Sequence, residues 1–442
     1  MERFQHPTQV IATGFGSAIA LGTLLLSLPV MTESGERAHF VDALFTATSA
    51  VCVTGLVTVD TGGHWSVMGE VVILALIQVG GLGILTLATL FALVVSRRLG
   101  LRAQLIAQAE TKTLRLSDVR RVVRNVVLFS LISELVVAVV LTARFMIGYD
   151  EPLGRAVYHG VFHSISAFNN AGFSLNVDSL MRYVADPWIS LTICVAFIVG
   201  GLGFPVVFEL VRSWRRPREW SVLTRLTVGT TVPLLVIGTI VLTSVEYDNP
   251  GTLGPLSGPA KLLAGFFAAA TPRTAGFNTI DTSAMTTEGW FFTDFLMFVG
   301  GGSAGTAGGI KVTTFGLLAF VVWAEMRGER RVNVGRRRVP ETNHRQALAI
   351  VLLAMGAVAI STFVLLGMTT HSLDRVLFEV ISAFATVGMS TGITADLPRA
   401  AHVLIAVLMF AGRIGPLTLA SALALRERER RYELPEERTI VG

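Results

Sequence analysis

Charge is scarce in this 442-residue chain: Asp, Glu, Lys and Arg make up 15% of it, against 52% for apolar residues, and mean hydropathy is +0.63. Soluble domains carry about a quarter of their residues charged, so a water-facing globular fold is excluded. Cysteine is almost absent. Cys52 and Cys194 lie in or beside apolar segments without metal-ligand spacing, which excludes a disulfide scaffold or a zinc site and leaves two unpaired buried thiols. There is no nucleotide-binding motif and no soluble catalytic stretch, so enzyme chemistry has no support. The first apolar run has no dense basic leader and no A-x-A-like cleavage site, and therefore reads as a helix and not as a signal peptide.

What the chain has in quantity is long apolar runs, around residues 8–30, 66–95, 126–147, 188–211, 227–245, 290–323, 346–368 and 401–425. A spanning helix needs about 20 such residues, whereas an outer-membrane barrel shows alternating segments of about 10. The expectation is an all-α integral membrane protein with eight spans. Of its 36 basic residues, eight lie between Arg97 and Arg124, five between Arg212 and Arg225, seven between Arg327 and Arg345, and five between Arg426 and Arg438. These are alternate connections plus the C-terminal tail, so the positive-inside rule puts both termini in the cytoplasm, with the chain multi-pass in the cytoplasmic (inner) membrane. The pI near 9.6 then follows from topology and contact with anionic membrane lipid, and needs no nucleic-acid partner.

Four segments align on one glycine each: "FTATSAVCVTGL" on Gly55, "FHSISAFNNAGF" on Gly172, "FFAAATPRTAGF" on Gly276 and "FEVISAFATVGM" on Gly388. Ten positions earlier stand Phe45, Phe162, Phe266 and Phe378; six earlier stand Ser49, Ser166, Ala270 and Ser382. A second landmark follows in phase: "VGGLG" from Val79, "VGGLG" from Val199, "VGGGSAGTAGG" from Val299 and "AGRIG" from Ala411. The chain is a fourfold internal repeat. Each copy reads as a spanning helix, a half-crossing segment of about 12 residues, a glycine loop and a second spanning helix.

Irregular backbone at membrane depth persists only where protein buries it or water reaches it, so four such loops converge on a water-filled path. Carbonyls turned toward a dehydrated cation require alternating left- and right-handed backbone, which glycine visits cheaply. The half-crossing helices direct their partially negative C-terminal ends at that path, favouring a cation. Close helix packing is the alternative use of glycine, and it suits the "GGLG" landmarks better than the loops.

On these residues the chain resembles, from about Gln9 to Gly442, the Trk/Ktr/HKT superfamily of potassium transporters, and within it the KtrB type of ion-translocating subunit. The resemblance implies four repeats of M1, pore helix, filter loop and M2 around one pseudo-fourfold pore, at 1–96, 97–211, 212–327 and 328–425, with a cytoplasmic tail at 426–442. It implies a selectivity filter of Val53, Thr54, Gly55, Asn170, Ala171, Gly172, Thr274, Ala275, Gly276, Thr386, Val387 and Gly388, holding potassium by carbonyls. Glycine at position 55, where sodium-preferring plant members carry serine, implies potassium, with sodium as the alternative cargo.

The run "GGGSAGTAGGIK" places six glycines in the ten residues Gly300 to Gly309, a composition that breaks a helix. The resemblance makes Gly300, Gly301, Gly302, Ser303, Ala304, Gly305, Thr306, Ala307, Gly308 and Gly309 an intramembrane gate loop, joined by Arg413, with Lys311 either gating or snorkelling to the cytoplasmic boundary. It also implies a homodimer and a cytoplasmic KtrA-like RCK regulatory ring that binds the nucleotide, with no covalent cofactor on this chain. Glu134 reads as a structural partner of Arg or Ser side chains, or as an ion-coupling site. Asp60, Asp178, Asp281 and Asp396 read as cation-concentrating or helix-capping residues, and His64, His159 and His163 as hydrogen-bonded structural histidines. An alternating-access secondary transporter is the competing reading; it calls for helix breaks in matched positions, and only the third repeat carries an evident one.

Overall fold

The structure is a computed structural model that describes residues 7–98, 116–329, 331–335 and 337–415. The tail 426–442, the end of the last expected span and most of the basic connection 99–115 lie outside the described residues. Among those described, the fold is helical, with one two-residue hairpin, β1 (Asn333–Val334) and β2 (Arg337–Arg338).

The chain runs through α1 (Pro7–Leu26), α2 (Phe40–Cys52), α3 (Val67–Arg98), α4 (Leu116–Tyr149), α5 (Leu153–Phe168), α6 (Pro187–Leu202), α7 (Phe204–Ser213), α8 (Val222–Val245), α9 (Gly258–Ala270), α10 (Thr287–Phe298), α11 (Val312–Met326), α12 (Glu341–Leu366), α13 (Leu373–Ala385) and α14 (Arg399–Ile414). The four helices that run into the glycine loops, α2, α5, α9 and α13, are short, at 13, 16, 13 and 13 residues. At 1.5 Å per residue they extend about 20–24 Å, less than the roughly 30 Å hydrocarbon core.

Packing repeats with the sequence. Each short helix lies against the long helix that precedes it: α2 on α1, α5 on α4, α9 on α8 and α13 on α12. The closing helix of each repeat also packs on the short helix of the next, α3 on α5, α6 on α9 and α10 on α13, and α14 returns to α2. The circuit closes, so the four short helices surround a common axis.

The outer helices show how apolar composition is spent on two surfaces. On α4, Val126, Ser130, Glu134, Leu141 and Phe145 are buried at helical spacing, while Leu128, Leu131, Leu135 and Val139 are more than half exposed. An exposed apolar band of that size marks contact with lipid. Three helical stretches among the described residues are long and apolar enough to cross a membrane: Val123–Tyr149, Val222–Val245 and Glu341–Leu366. A fourth is the bent pair α6 and α7.

That bend corrects the expectation of a continuous span at 188–211. The helix turns by 104° at Gly203, whose φ of 96° is left-handed, and Pro205 then stands in the first turn of α7. The run 290–323 is divided where its glycines placed a break, with α10 ending at Phe298 and α11 starting at Val312.

Candidate ion pathway

The glycine loops begin as helix C-terminal caps. The Val53 N–H donates to Ala50 and the Thr54 N–H to Ser49; Asn170 and Ala171 repeat this on Ala167 and Ser166, and Thr386 and Val387 on Ala383 and Ser382. This is the Schellman pattern, whose left-handed position is normally glycine. Here it holds Val53 (φ 56°), Asn170 (58°) and Thr386 (54°), and the third loop matches with Thr274 (69°) after an extra turn through Pro272 and Arg273. A left-handed residue other than glycine costs about 1–2 kcal/mol. Two positions on, Gly55 (95°), Gly172 (71°), Gly276 (75°) and Gly388 (91°) are left-handed again. Each loop therefore alternates in hand across three residues.

Hydroxyls hold the loops. Ser49 Oγ accepts from the Gly55 N–H at 3.0 Å and Ser382 Oγ from the Gly388 N–H at 3.1 Å. Ser166 donates to the Phe173 carbonyl at 2.7 Å, and Thr271, where the alignment has Ala270, donates to that of Phe277 at 2.7 Å.

The four glycines meet. A Cβ on Gly55 would stand 2.5 Å from the Ala171 carbonyl oxygen, on Gly172 2.9 Å from that of Ala275, on Gly276 2.6 Å from that of Val387, and on Gly388 it would collide with that of Thr54. Each glycine faces the carbonyl just before the next loop's glycine, and the order closes on itself. All four line one cavity of about 230 Å³, with Asp60, Ser174, Asn278, Ser390 and Thr394 on its walls. The oxygens that stand against the four glycines are carbonyls; among the described residues no group of three or more His, Cys, Asp or Glu could hold a metal ion.

Landmark glycines lie behind the loops. A Cβ on Gly80, Gly200 or Gly412 would run into the carbonyl of Val51, Phe168 or Phe384, in each case the residue four before the loop glycine. Close helix approach is what those glycines permit.

Residues 299–311 form an irregular segment under the ring. Its backbone docks on the α6 break: the Gly302 N–H donates to Gly201 at 2.7 Å, Thr306 to Gly200 at 3.2 Å, and Phe204 to Ala304 at 3.3 Å. Thr306 Oγ1 donates to Asn170 Oδ1 at 2.8 Å, and Gly308 and Gly309 sit against Thr386 and Ala385. Ser303 bonds Thr313 at 2.8 Å. Arg413, 3% exposed, donates to the carbonyls of Thr306 and of Gly80, the latter at 2.7 Å. Lys311 folds back to the Ala307 carbonyl at 2.5 Å. Two cationic groups thus lie below the glycine ring, neither in an ion pair among the described residues.

The remaining candidates are placed as follows. Glu134 accepts from Gln78 at 3.1 Å and Asn169 at 3.0 Å, with the Ser130 hydroxyl beside its carboxylate, so amides and a serine surround it and no arginine does among the described residues; Ser164 reaches its backbone carbonyl. Asp281 caps the Ser283 N–H at 2.9 Å, Asp178 pairs with Arg182 at 2.7 Å, and Asp60 faces the cavity. His159 lies 3.5 Å from Glu151, and His163 is bonded at both nitrogens. Sequence reasoning missed Arg273, buried three positions before Gly276 with one side-chain bond, to the Thr231 carbonyl at 3.3 Å, and Glu379, fully buried in α13. A charged residue inside an apolar half-helix, as Glu379, or just past its end, as Arg273, was the available signal.

Known proteins bear on this geometry. The profile of the TrkH family, described as a cation transport protein, matches residues 2–431. The chain is 41% identical over 437 residues to Ktr system potassium uptake protein B of Bacillus subtilis (strain 168), covering 99% of this chain and 97% of that protein. It is 34% identical over 443 residues to the potassium/sodium uptake protein NtpJ of Enterococcus hirae, covering 99% and 97%. The crystal structure of the potassium transporter TrkH from Vibrio parahaemolyticus superposes with a TM-score of 0.75 at 17% identity, over 96% of this chain and 86% of that one, a likeness of fold. This chain belongs to the TrkH cation transport protein family, whose members are membrane transporters and not enzymes.

Proposed function

We propose that the chain carries potassium into the cell through one central pore, with Gly55, Gly172, Gly276 and Gly388 and the two residues before each as its selectivity filter. The observation that carries this reading is the closed circuit in which each glycine stands against the next loop's carbonyl. Carbonyl oxygens so arrayed replace the hydration shell of a cation. The eight-span, four-repeat architecture, with both termini cytoplasmic in the inner membrane, belongs to the same proposal. Inward movement of each cation gains about 2.3 kcal/mol per 100 mV of membrane potential, so no catalytic energy source is required.

Residues 300–309 act as the gate in this reading, held shut by Arg413 and Lys311. Their support is position: the segment touches Asn170 and Thr386 from below and adds two positive charges to a cation path. A KtrA-like RCK ring that binds nucleotide opens it, and the subunit works as a homodimer; sodium acts as activator or second cargo. The break at Gly203 bears on the alternating-access alternative. It serves as the seat of the 299–311 segment and has no inverted counterpart among the described residues, which favours a gated pore.

The test is potassium uptake in a host lacking its own systems, using the wild-type chain and a deletion of Gly302 to Gly308, each with and without the regulatory partner. Partner-independent flux in the deletion supports the gate. A dead deletion in a correctly inserted chain places the gate elsewhere.

A further inference from the structure

The glycine ring is fourfold, but one set of side-chain links behind it, from nine positions before the glycine to two after, occurs only in the second and fourth loops. In the second repeat His163, nine positions before Gly172, places Nε2 3.0 Å from Oγ of Ser174, two positions after that glycine. In the fourth, Glu379, nine positions before Gly388, accepts from Oγ of Ser390, two positions after, at 2.9 Å. Both inner groups are fully buried, and both serines line the shared cavity. Each serine oxygen also accepts a backbone N–H two residues on, from Asn176 at 3.1 Å and from Gly392 at 2.9 Å. The first and third repeats carry Thr46 with Val57 and Phe267 with Asn278 at these positions, and Val57 and Phe267 have no polar side-chain atom to form the link.

Hydrogen direction follows from the partners. A carboxylate accepts only, so Ser390 donates to Glu379. The Nδ1 of His163 lies 2.8 Å from the His159 carbonyl, which requires a proton on that nitrogen and leaves Nε2 of the neutral ring to accept from Ser174. The Ser179 carbonyl, at 3.3 Å from Ser174 Oγ, is the longer alternative acceptor. Glu379 takes the Thr394 hydroxyl as well, and His402 Nε2 lies 2.8 Å from the Thr394 carbonyl, which fastens the returning strand of loop to α13 and α14.

We propose that His163 and Glu379 are positioning residues for an outer cation level: each draws the hydroxyl proton of a cavity-lining serine backward, so that Ser174 and Ser390 present oxygen lone pairs to an arriving potassium ion from opposite walls. Second and fourth repeats are diagonal in the ring order, which is why a pair suffices. The inference rests on the filter reading above.

The experiment measures the external potassium dependence of uptake for wild type, Ser174→Ala, Ser390→Ala, Ser390→Thr, Glu379→Gln and the double variant Glu379→Gln/Ser390→Ala, with Gly388→Ser as reference for selectivity. Each alanine variant is expected to raise KM about three- to tenfold with maximal rate within about twofold, the size of one neutral hydrogen-bonding ligand. Ser390→Thr keeps the wild-type KM, and the double variant raises KM by clearly less than the product of its two single effects, because Glu379 acts in part through that serine and for the rest through Thr394. An unchanged KM in the alanine variants, or multiplying effects in the double, overturns the proposal. If Gly388→Ser abolishes selectivity while Ser390→Ala behaves as wild type, the brace fails and the filter stands. If Gly388→Ser leaves selectivity intact, both fall.

Discussion

Arg413 and Gly80 stand 333 positions apart, yet the Nη2 of one donates to the carbonyl of the other at 2.7 Å. The same guanidinium holds the Thr306 carbonyl, so one side chain of α14 joins the closing helix of the first repeat to the irregular segment of the third. A planar fork suits two acceptors at once, and a lysine in its place could not span them in the same geometry.

Arg413→Gln therefore loosens residues 300–309. Charge-assisted bonds contribute about 1.5–3 kcal/mol each, so losing one is expected to raise the population of the open segment roughly tenfold or more. Rubidium flux into proteoliposomes without a cytoplasmic partner should rise accordingly. Flux that stays at the wild-type level would remove Arg413 from the gate.

Gly412 and Gly356 make a matched pair for stability. A Cβ on Gly412 runs into the Phe384 carbonyl, whereas one on Gly356, in α12, meets nothing within 4 Å. Gly412→Ala is expected to destabilise the detergent-solubilised protein by about 1–3 kcal/mol, and Gly356→Ala to be neutral or to stabilise by up to about 1 kcal/mol. Thermal melts that rank the two the other way would contradict the packing described for α14 and α13.

Glu134 links three helices through Gln78 on α3 and Asn169 at the end of α5. Glu134→Ala strands the Gln78 amide donor, while Asn169 keeps Gln78 Oε1 and the Ile165 carbonyl as acceptors, and is expected to cost about 1–2 kcal/mol; Glu134→Gln, which keeps one acceptor oxygen, costs less. Because Asn169 directly precedes Asn170, potassium affinity should weaken along with stability. A variant that loses stability with affinity untouched would separate this cluster from the second loop.

The repeat and its glycines were legible because backbone conformation writes itself into sequence: only glycine serves where Gly55 or Gly388 press against a neighbouring carbonyl. The break at Gly300 to Gly309 was legible for the same reason, from composition alone. The bend at Gly203 was not, since "GGLG" reads equally well as helix packing, and its left-handed turn depends on the segment from the third repeat that seats there. Left-handed Val53 and Thr386 run against the preference of β-branched residues, so their conformation came from the C-terminal cap and the ring around it. Glu379 was passed over, and His163 was read as a hydrogen-bonded structural histidine without its partner, because Ser390 and Ser174 are common residues whose meaning lies in a contact across the loop.

The most direct test of a four-loop filter is the potassium-over-sodium permeability ratio of the purified wild-type chain and of Gly388→Ser in proteoliposomes. A Cβ at Gly388 collides with the Thr54 carbonyl on a left-handed backbone, so the account predicts a ratio reduced at least about tenfold in the variant, with the protein still inserted and folded. An unchanged ratio would mean that ions pass without meeting the glycine ring, and would contradict the account.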